Sequence, residues 1–370
     1  MKTPLAVHEE MLPELLATGW GVEVASRPLF IPVGDSAYSY RVEAVTGERY
    51  YLKVMDRRMG AARRLAASMW RFSLPLQRYV SELELEDIGA PLPQLTRGGS
   101  LAQEYGRLFL ALYSFIEGET LSEAYPMSDV LVERIGRALG RLHAVQVSEH
   151  LRRNTAIDSH LIAFDSGLRA DLETIVNISE RAVNWKQQLR ELVVPRLEMI
   201  ARFTARAEHD AEQVRQFPQQ AVVCHGDPWG GNIIPAAERR LIFLDWESAV
   251  MAPAERDAFV YLNDPSRPEF WAFFRGYQQT RAQSVQWQRV RLAFHAYRQQ
   301  LCNLAHWLHQ LLHERLDEEQ RANDLEMISF HCLDRWEGIE QGAIRLLTAN
   351  IPCGLSHRVL DSPPDQEFHC

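Results

Sequence analysis

Apolar and polar residues alternate through much of the first hundred positions, and helical spacing takes over after Gly118. FIPVGDSAYSYRVEAV (30–45) begins apolar, turns at Val33-Gly34-Asp35, and then alternates through Tyr38, Tyr40 and Val42. A turn at Thr46-Gly47 leads into RYYLKVMD (49–56), which alternates again, so the two stretches predict an antiparallel hairpin or meander. A helical region is expected from about Ala61, interrupted by Pro75. Its second part sets Leu76, Tyr79, Val80 and Leu83 on one face and stops at Gly89 and Pro91. LFLALYSFIEG (108–118) is a continuous apolar run, the pattern of a strand buried on both faces.

Beyond Gly118 the spacing is mostly helical. DVLVERIGRALGRLHAV (129–145) repeats Leu131, Ile135, Leu139 and Leu142 behind Ser128, a residue suited to capping a helix N-terminus. Residues 170–216 are amphipathic and charged, and predict two or more helices around Pro195. A strand-rich island occupies 221–246, and helices resume from about Glu269 to Leu347. The predicted fold class is α+β: a small β-rich lobe, a buried connecting strand near 115, and a larger, mainly helical lobe. The expected division is 1–115, 116–349 and a loosely ordered tail at 350–370, with a site between the two lobes, where ligand pockets often form.

Size and composition narrow the class. At 370 residues two domains or lobes are expected, and 46% hydrophobic with 24% charged residues is the balance of a globular chain with a real core. The net charge of -9 gives no global attraction for nucleic acid or an anionic membrane. Cys224, Cys302, Cys332, Cys353 and Cys370 are scattered without a CxxC pair, so neither a disulfide framework nor a zinc knuckle is indicated. Glu9, Glu10 and Glu14 stand where a signal peptide needs an apolar core, and LFLALYSFI is too short to span a bilayer. A cytoplasmic protein, monomeric or homodimeric, is the expectation.

The candidate chemistry lies in VVCHGDPWGGNII (222–234), where Asp227 and Asn232 stand five residues apart on a glycine-rich loop. A turn requires the glycines but neither polar group. Further on, the apolar strand LIFL delivers Asp245 at its end, followed by Trp246 and Glu247; far upstream, Lys53 is the only cation within YYLKVM. Singly these are bland: a strand lysine is usually solvated, and a carboxylate at a strand end is common. Together, in this order, they match what phosphoryl transfer from ATP requires. The order is a strand lysine for the phosphates, a carboxylate to accept the hydroxyl proton, then an amide and a second carboxylate for Mg2+.

CHGDPWGGNII with FLDWESAVMAPAERDAF resembles the aminoglycoside phosphotransferase and choline kinase superfamily, and the DWE…AP.ERD form resembles its spectinomycin phosphotransferase branch. RYYLKV, ALYSFIEG, IGRALGRLH and FFRGY (273–277) match that branch in order, so the resemblance covers about 30 to 345. It implies a two-lobed protein-kinase-like fold with Asp227 as catalytic base, Asn232 and Asp245 on magnesium, and Lys53 on the nucleotide phosphates. The backbone near Phe115 and Ile116 would meet adenine. VGDSAYS (33–39) replaces the usual glycine-rich loop, making Ser36 a candidate phosphate contact. Glu82 is the expected helix carboxylate for Lys53, with Ser73 the other position that could align there, and Glu247 is a further candidate near metal or acceptor.

Ala252-Pro253 follows Asp245 too closely for a protein kinase's activation loop, so a small-molecule acceptor is expected. The leading expectation is a hydroxyl of an antibiotic-like aminocyclitol or aminoglycoside. The alternative is an amino alcohol such as homoserine or choline, and a third is a homologue that binds nucleotide without turnover. AFHAYRQQLCNLAHW (293–307) is poor in carboxylates, which favours a sparsely charged acceptor. His225 is expected to orient its loop, His143 to pack or cap, and Trp271, Phe273, Phe274 and Tyr277 to be core. His306, His309 and His313 share a helical face, but without an HExxH glutamate they read as helix-surface histidines rather than a metal site.

Overall fold

The computed structural model describes residues 3–5, 9–34, 37–58, 69–162, 164–218, 220–236, 240–281 and 285–348. Ser36, the first turns of the helix expected from Ala61 and the 350–370 tail lie outside them.

The N-terminal part is a five-stranded antiparallel sheet built from β1 (Leu29–Ile31), β2 (Tyr38–Glu43), β3 (Arg49–Asp56), β5 (Gln103–Tyr105) and β6 (Leu108–Ser114), in the order β1-β2-β3-β6-β5; β4 (Ile88–Gly89) belongs to another sheet. The predicted hairpin is β2–β3, with Ser39 opposite Lys53 and Lys53 opposite Ala111 of β6. Side chains alternate across the sheet. Tyr40, Val42, Leu52, Val54, Leu110 and Leu112 therefore pack on Leu12, Leu15 and Leu16 of helix α1 (Leu12–Trp20). Met55, Phe109, Ala111 and Tyr113 face the other way, onto Met69 and Leu74. Both faces of β6 are covered, which is why its sequence is apolar at successive positions. Lys53 emerges on the second face.

Pro75 marks a change of helical form. It falls in the first turn of α2 (Leu74–Glu82), after a wide helical turn at Met69–Ser73. The proline has no N–H to offer the carbonyls of the preceding turn, and the wider turn before it accommodates that loss. β4 follows and pairs in parallel with β9 (Leu241–Phe243), which also pairs with β8 (Ile233–Pro235); β7 (Val222–Cys224) pairs with β10 (Val250–Ala252). The predicted strand island thus becomes two small sheets whose connecting loops lie beneath the N-terminal sheet.

The remaining longer helices are α3 (Asp129–His143), α4 (Asp165–Val176), α5 (Asn184–Val193), α6 (Leu197–Val214), α7 (Pro268–Thr280), α8 (Arg289–His313), α9 (Glu318–Ser329) and α10 (Trp336–Thr348). Ser128 caps α3 by accepting from the Leu131 N–H at 3.4 Å. α3 and α7 approach so closely that a Cβ on Gly136 would strike the Phe273 carbonyl, and one on Gly276 the Glu133 carbonyl. Phe273, Phe274 and Tyr277 are core, as expected. α8 is the central strut of a second core, packing Tyr297, Leu301, Leu304 and Leu308 among residues from α4, α5, α6 and α10. Among the described residues no helix is long and apolar enough to cross a membrane.

Candidate active site

The loop from β7 to β8 carries Asp227 and Asn232, and the loop from β9 to β10 carries Asp245 and Glu247. Gly226 sits at φ 87°, in the left-handed region, and a Cβ there would collide with the Ser248 carbonyl. Only glycine lets the two loops lie this close. Asn232 reaches back to Asp227, donating from Nδ2 to Oδ2 at 2.9 Å and to the main-chain carbonyl at 3.0 Å. Its side-chain oxygen remains an acceptor. The backbone joins in, because the Leu244 N–H donates to the Asn232 carbonyl at 2.8 Å. Asp245 adopts the left-handed conformation (φ 55°, ψ 63°), uncommon for a residue with a Cβ, and its carboxylate is 44% exposed.

Lys53 crosses from the N-terminal sheet to this loop. Its ammonium lies 3.1 Å from Oδ1 of Asp245 and in direct ion-pair contact with Glu247. Burial alone would depress the Lys53 ammonium, but the Asp245 and Glu247 carboxylates outweigh it and hold its pKa well above the ordinary lysine value. Burial and the neighbouring Asp245 charge push the Glu247 carboxyl up to about 7, against the pull of Lys53. Burial, reinforced by Asp245, pushes Asp227 up to about 6; Arg256 and Asn232 oppose the shift.

Glu82 is not the partner of Lys53. It ends α2 on the exposed side and pairs with Arg78 of its own helix at 2.8 Å, while α2 buries Leu74, Gln77 and Val80. Ser73, the other aligned position, is buried with its hydroxyl unpartnered among the described residues. The turn that carries it packs on Trp246–Ser248. The carboxylate beside the lysine therefore comes from the Asp245-Trp246-Glu247 turn.

His225 binds the two loops together. Its Nε2 donates to the Leu244 carbonyl at 2.7 Å, and its Nδ1 accepts from the Asp227 N–H at 3.3 Å, a pattern that assigns the neutral Nε2–H tautomer. Burial lowers its pKa in keeping with that form.

Several supporting residues were missed by sequence reasoning. Asp257, in the short helix Glu255–Ala258, accepts from the His225 N–H at 2.8 Å, the Gly226 N–H at 2.7 Å and Nε2 of His143 at 3.0 Å. Tyr261 donates to the Pro228 carbonyl at 2.8 Å, and the Gly230 N–H donates to the Tyr125 hydroxyl at 3.0 Å. The one available signal was a charged Glu-Arg-Asp triplet set in an apolar stretch.

At the strand end, Phe115 donates its N–H to the Arg49 carbonyl at 3.1 Å. Among the described residues its carbonyl and the Ile116 N–H have no hydrogen-bond partner, leaving one acceptor and one donor. Arg256 and Cys302 each lie within electrostatic reach of Asp227. Arg256 contacts Gln299 at 3.4 Å, and Arg298 forks onto Asp158 at 2.7 and 2.9 Å. Asp245 and Asn232 together offer a carboxylate and an amide oxygen, the ligand types a hard divalent ion prefers.

Comparison with known proteins agrees with this arrangement. The model of the phosphotransferase enzyme family matches residues 29–293. Among solved structures, a spectinomycin phosphotransferase in complex with ADP and spectinomycin superposes with a TM-score of 0.70 at 17% identity, covering 91% of this chain and 98% of that one. A macrolide 2'-phosphotransferase type I gives a TM-score of 0.55 at 17% identity, over 89% and 99% of the two chains. An amicoumacin kinase in complex with AMP-PNP, Ca2+ and its ligand gives 0.54 at 15%, over 91% and 92%. No curated protein matches. The expected two-lobed kinase-like fold is borne out, and the chain belongs to the phosphotransferase enzyme family.

Proposed function

We propose that this small-molecule phosphotransferase uses ATP and magnesium to phosphorylate a hydroxyl of its acceptor. The observation that supports it most is the meeting of Lys53 with Asp245 across the two lobes, beside an Asp227 held by Asn232. Asp227 would accept the hydroxyl proton as the oxygen attacks, and a carboxyl raised to about 6 is a stronger base than an ordinary one. Asn232 and Asp245 would hold magnesium, whose charge would offset that of the phosphates. Lys53 would anchor the phosphates, with Glu247 fixing its ammonium in place of a helix glutamate. The Phe115 carbonyl and Ile116 N–H suit the adenine edge.

The charge around Asp227 supports an acceptor of low positive charge. Arg256 and Cys302 lie within electrostatic reach of Asp227, Arg256 contacts Gln299, and the carboxylate of Asp158 is already forked by Arg298. A sparsely charged aminocyclitol fits better than a densely cationic aminoglycoside. A second reading has its own support: Arg256 would favour an amino alcohol that also carries a carboxylate, homoserine being one example. Nucleotide consumption measured over aminocyclitols, aminoglycosides and amino alcohols, with Asp227→Asn as the blank, tests both. Turnover only on densely cationic aminoglycosides would contradict the acceptor assignment. Nucleotide binding without consumption over the whole panel would contradict catalysis.

A further inference from the structure

The three histidines of HWLHQLLHE separate in the structure. His309 and His313 lie one turn apart on α8 with their rings 4.6 Å apart, and both face Asp171 of α4. Nε2 of His313 is 2.6 Å from Oδ1 of Asp171, and Nδ1 of His309 is 4.0 Å from Oδ2. One ligand atom from each residue lies within 4.8 Å of the others, and His306 is not part of this group.

Asp171 is the member that needs explaining. It sits between Leu168 and Ile175 on the buried face of α4, where amphipathic spacing calls for an aliphatic side chain, and it is only 6% exposed. Burying a carboxylate is costly unless a cation accompanies it. Its ion-pair partners among the described residues are these two imidazoles; no lysine or arginine is paired with it. The histidines themselves are 41% and 48% exposed, so water has access to the remaining side of the cluster.

We propose that Asp171, His309 and His313 form a binding site for a divalent first-row transition ion, zinc being the best match to two imidazoles and a carboxylate. The ion would displace the hydrogen bond between His313 and Asp171 and clamp α4 onto α8. It would act on stability, not on the transfer step: His309 lies two turns along α8 from Cys302, roughly 10 Å at the helical rise.

The two other clusters of metal-ligand type are already committed. Asp158, near His160 and His295, is forked by Arg298 and lies 3.9 Å from Arg256, so a divalent ion would join two cations. Asp257, near His143 and Cys224, is bonded to the backbone of the loop holding Asp227.

The test is a zinc titration of the metal-free full-length protein, with excess magnesium present to occupy hard-ion sites, read by calorimetry and thermal melting. One equivalent of zinc should bind, and at a hundredfold excess over Kd the melting temperature should rise by about 3 °C. His309→Gln and His313→Gln should each weaken binding by at least the roughly tenfold to hundredfold that loss of an outer-shell partner costs, since each removes a direct ligand. His309 is exposed and its nearest Asp171 oxygen is 4.0 Å away, so His309→Gln should melt like the wild type without metal. Absence of saturable zinc binding, or unchanged affinity and stoichiometry in the His309→Gln/His313→Gln double variant, would overturn the assignment. In either case the cluster would be a plain histidine–aspartate ion pair.

Discussion

Lys53 is held by Glu247, a carboxylate two residues beyond Asp245, and not by the glutamate at the end of α2. In the proposed reaction this contact keeps the ammonium pointed at the phosphates. Glu247→Gln keeps an acceptor for the ammonium but removes the negative charge that faces it, a loss of roughly 1.5–3 kcal/mol. It should therefore raise KM for nucleotide about tenfold to a hundredfold, and Glu247→Asp should do less. Glu82→Gln removes only an exposed pair with Arg78 and should leave both constants within about twofold. Steady-state kinetics with nucleotide varied separates the two glutamates; an equal effect of both would contradict the assignment.

Asp227 carries a testable pH signature. Its carboxyl is pushed up to about 6 by burial and by Asp245, so in the metal-free protein it gains a proton as pH falls through that value. A protonated carboxyl cannot accept the acceptor's proton, so kcat/KM for the acceptor should fall about tenfold per pH unit on the acid side. Magnesium beside Asp245 offsets one cause of the shift, so saturating metal should move this limb to lower pH. Asp227→Asn should lower turnover by roughly 10²–10⁴-fold, abolish the limb, and leave nucleotide binding largely intact. A profile without an acid limb in the wild type would remove Asp227 from the role.

Asp257 makes the loop geometry depend on a residue that touches neither nucleotide nor acceptor in the proposed reaction. Asp257→Ala strands the N–H groups of His225 and Gly226 and leaves His143 Nε2 without its acceptor. At roughly 1–3 kcal/mol for each buried group left unpaired, the loss should exceed about 3 kcal/mol. Burial pushes the Asp257 carboxyl up, yet His143, His225 and the Gly226 N–H together hold it below the usual carboxylate range. Its folded pKa is thus depressed, so the stability it supplies is present above the ordinary carboxylate pKa and is lost as pH falls through the folded value. Urea unfolding of wild type and variant should differ most near neutrality, and the gap should narrow on acidification.

What could be read from the chain follows from how far each contact reaches. The β2–β3 hairpin, the β6 strand and α3 with its Ser128 cap are local patterns, and they fold as such. Lys53, Asp227, Asn232 and Asp245 stood out because of their order, although no local pattern reports the 3.1 Å approach of Lys53 to Asp245. β4 was missed because Ile88 and Gly89 become a strand only by pairing with β9. Pro75 read as a break, and the change from the wide turn to α2 does fall there. Glu247 was a candidate near metal or acceptor, but nothing in its neighbours reveals that Lys53 will be folded onto it. Asp257 looked like an ordinary surface acid because the backbone turn it holds lies 31 to 32 residues upstream. Asp171 was hidden for the same reason, its histidines lying in another helix.

The α3–α7 crossing gives opposite expectations for two glycines. Gly276 lies where a Cβ would strike the Glu133 carbonyl, a rigid backbone atom, and Gly136 presents the same problem to Phe273 from the opposite helix. Gly276→Ala must therefore push the helices apart, and overpacking of this kind costs about 1–3 kcal/mol. The crossing also carries Tyr277, which bonds His143 at 2.8 Å, and His143 bonds Asp257; a displaced α7 should thus lower activity as well as stability. Gly338, on the exposed side of α10, has open space around it. There the methyl meets nothing and the helix propensity of alanine dominates, so Gly338→Ala should stabilise by about 0.5–1 kcal/mol with activity unchanged. Thermal melts of the two variants should shift in opposite directions, and a neutral or stabilising Gly276→Ala would mean that α3 and α7 pack less closely than described.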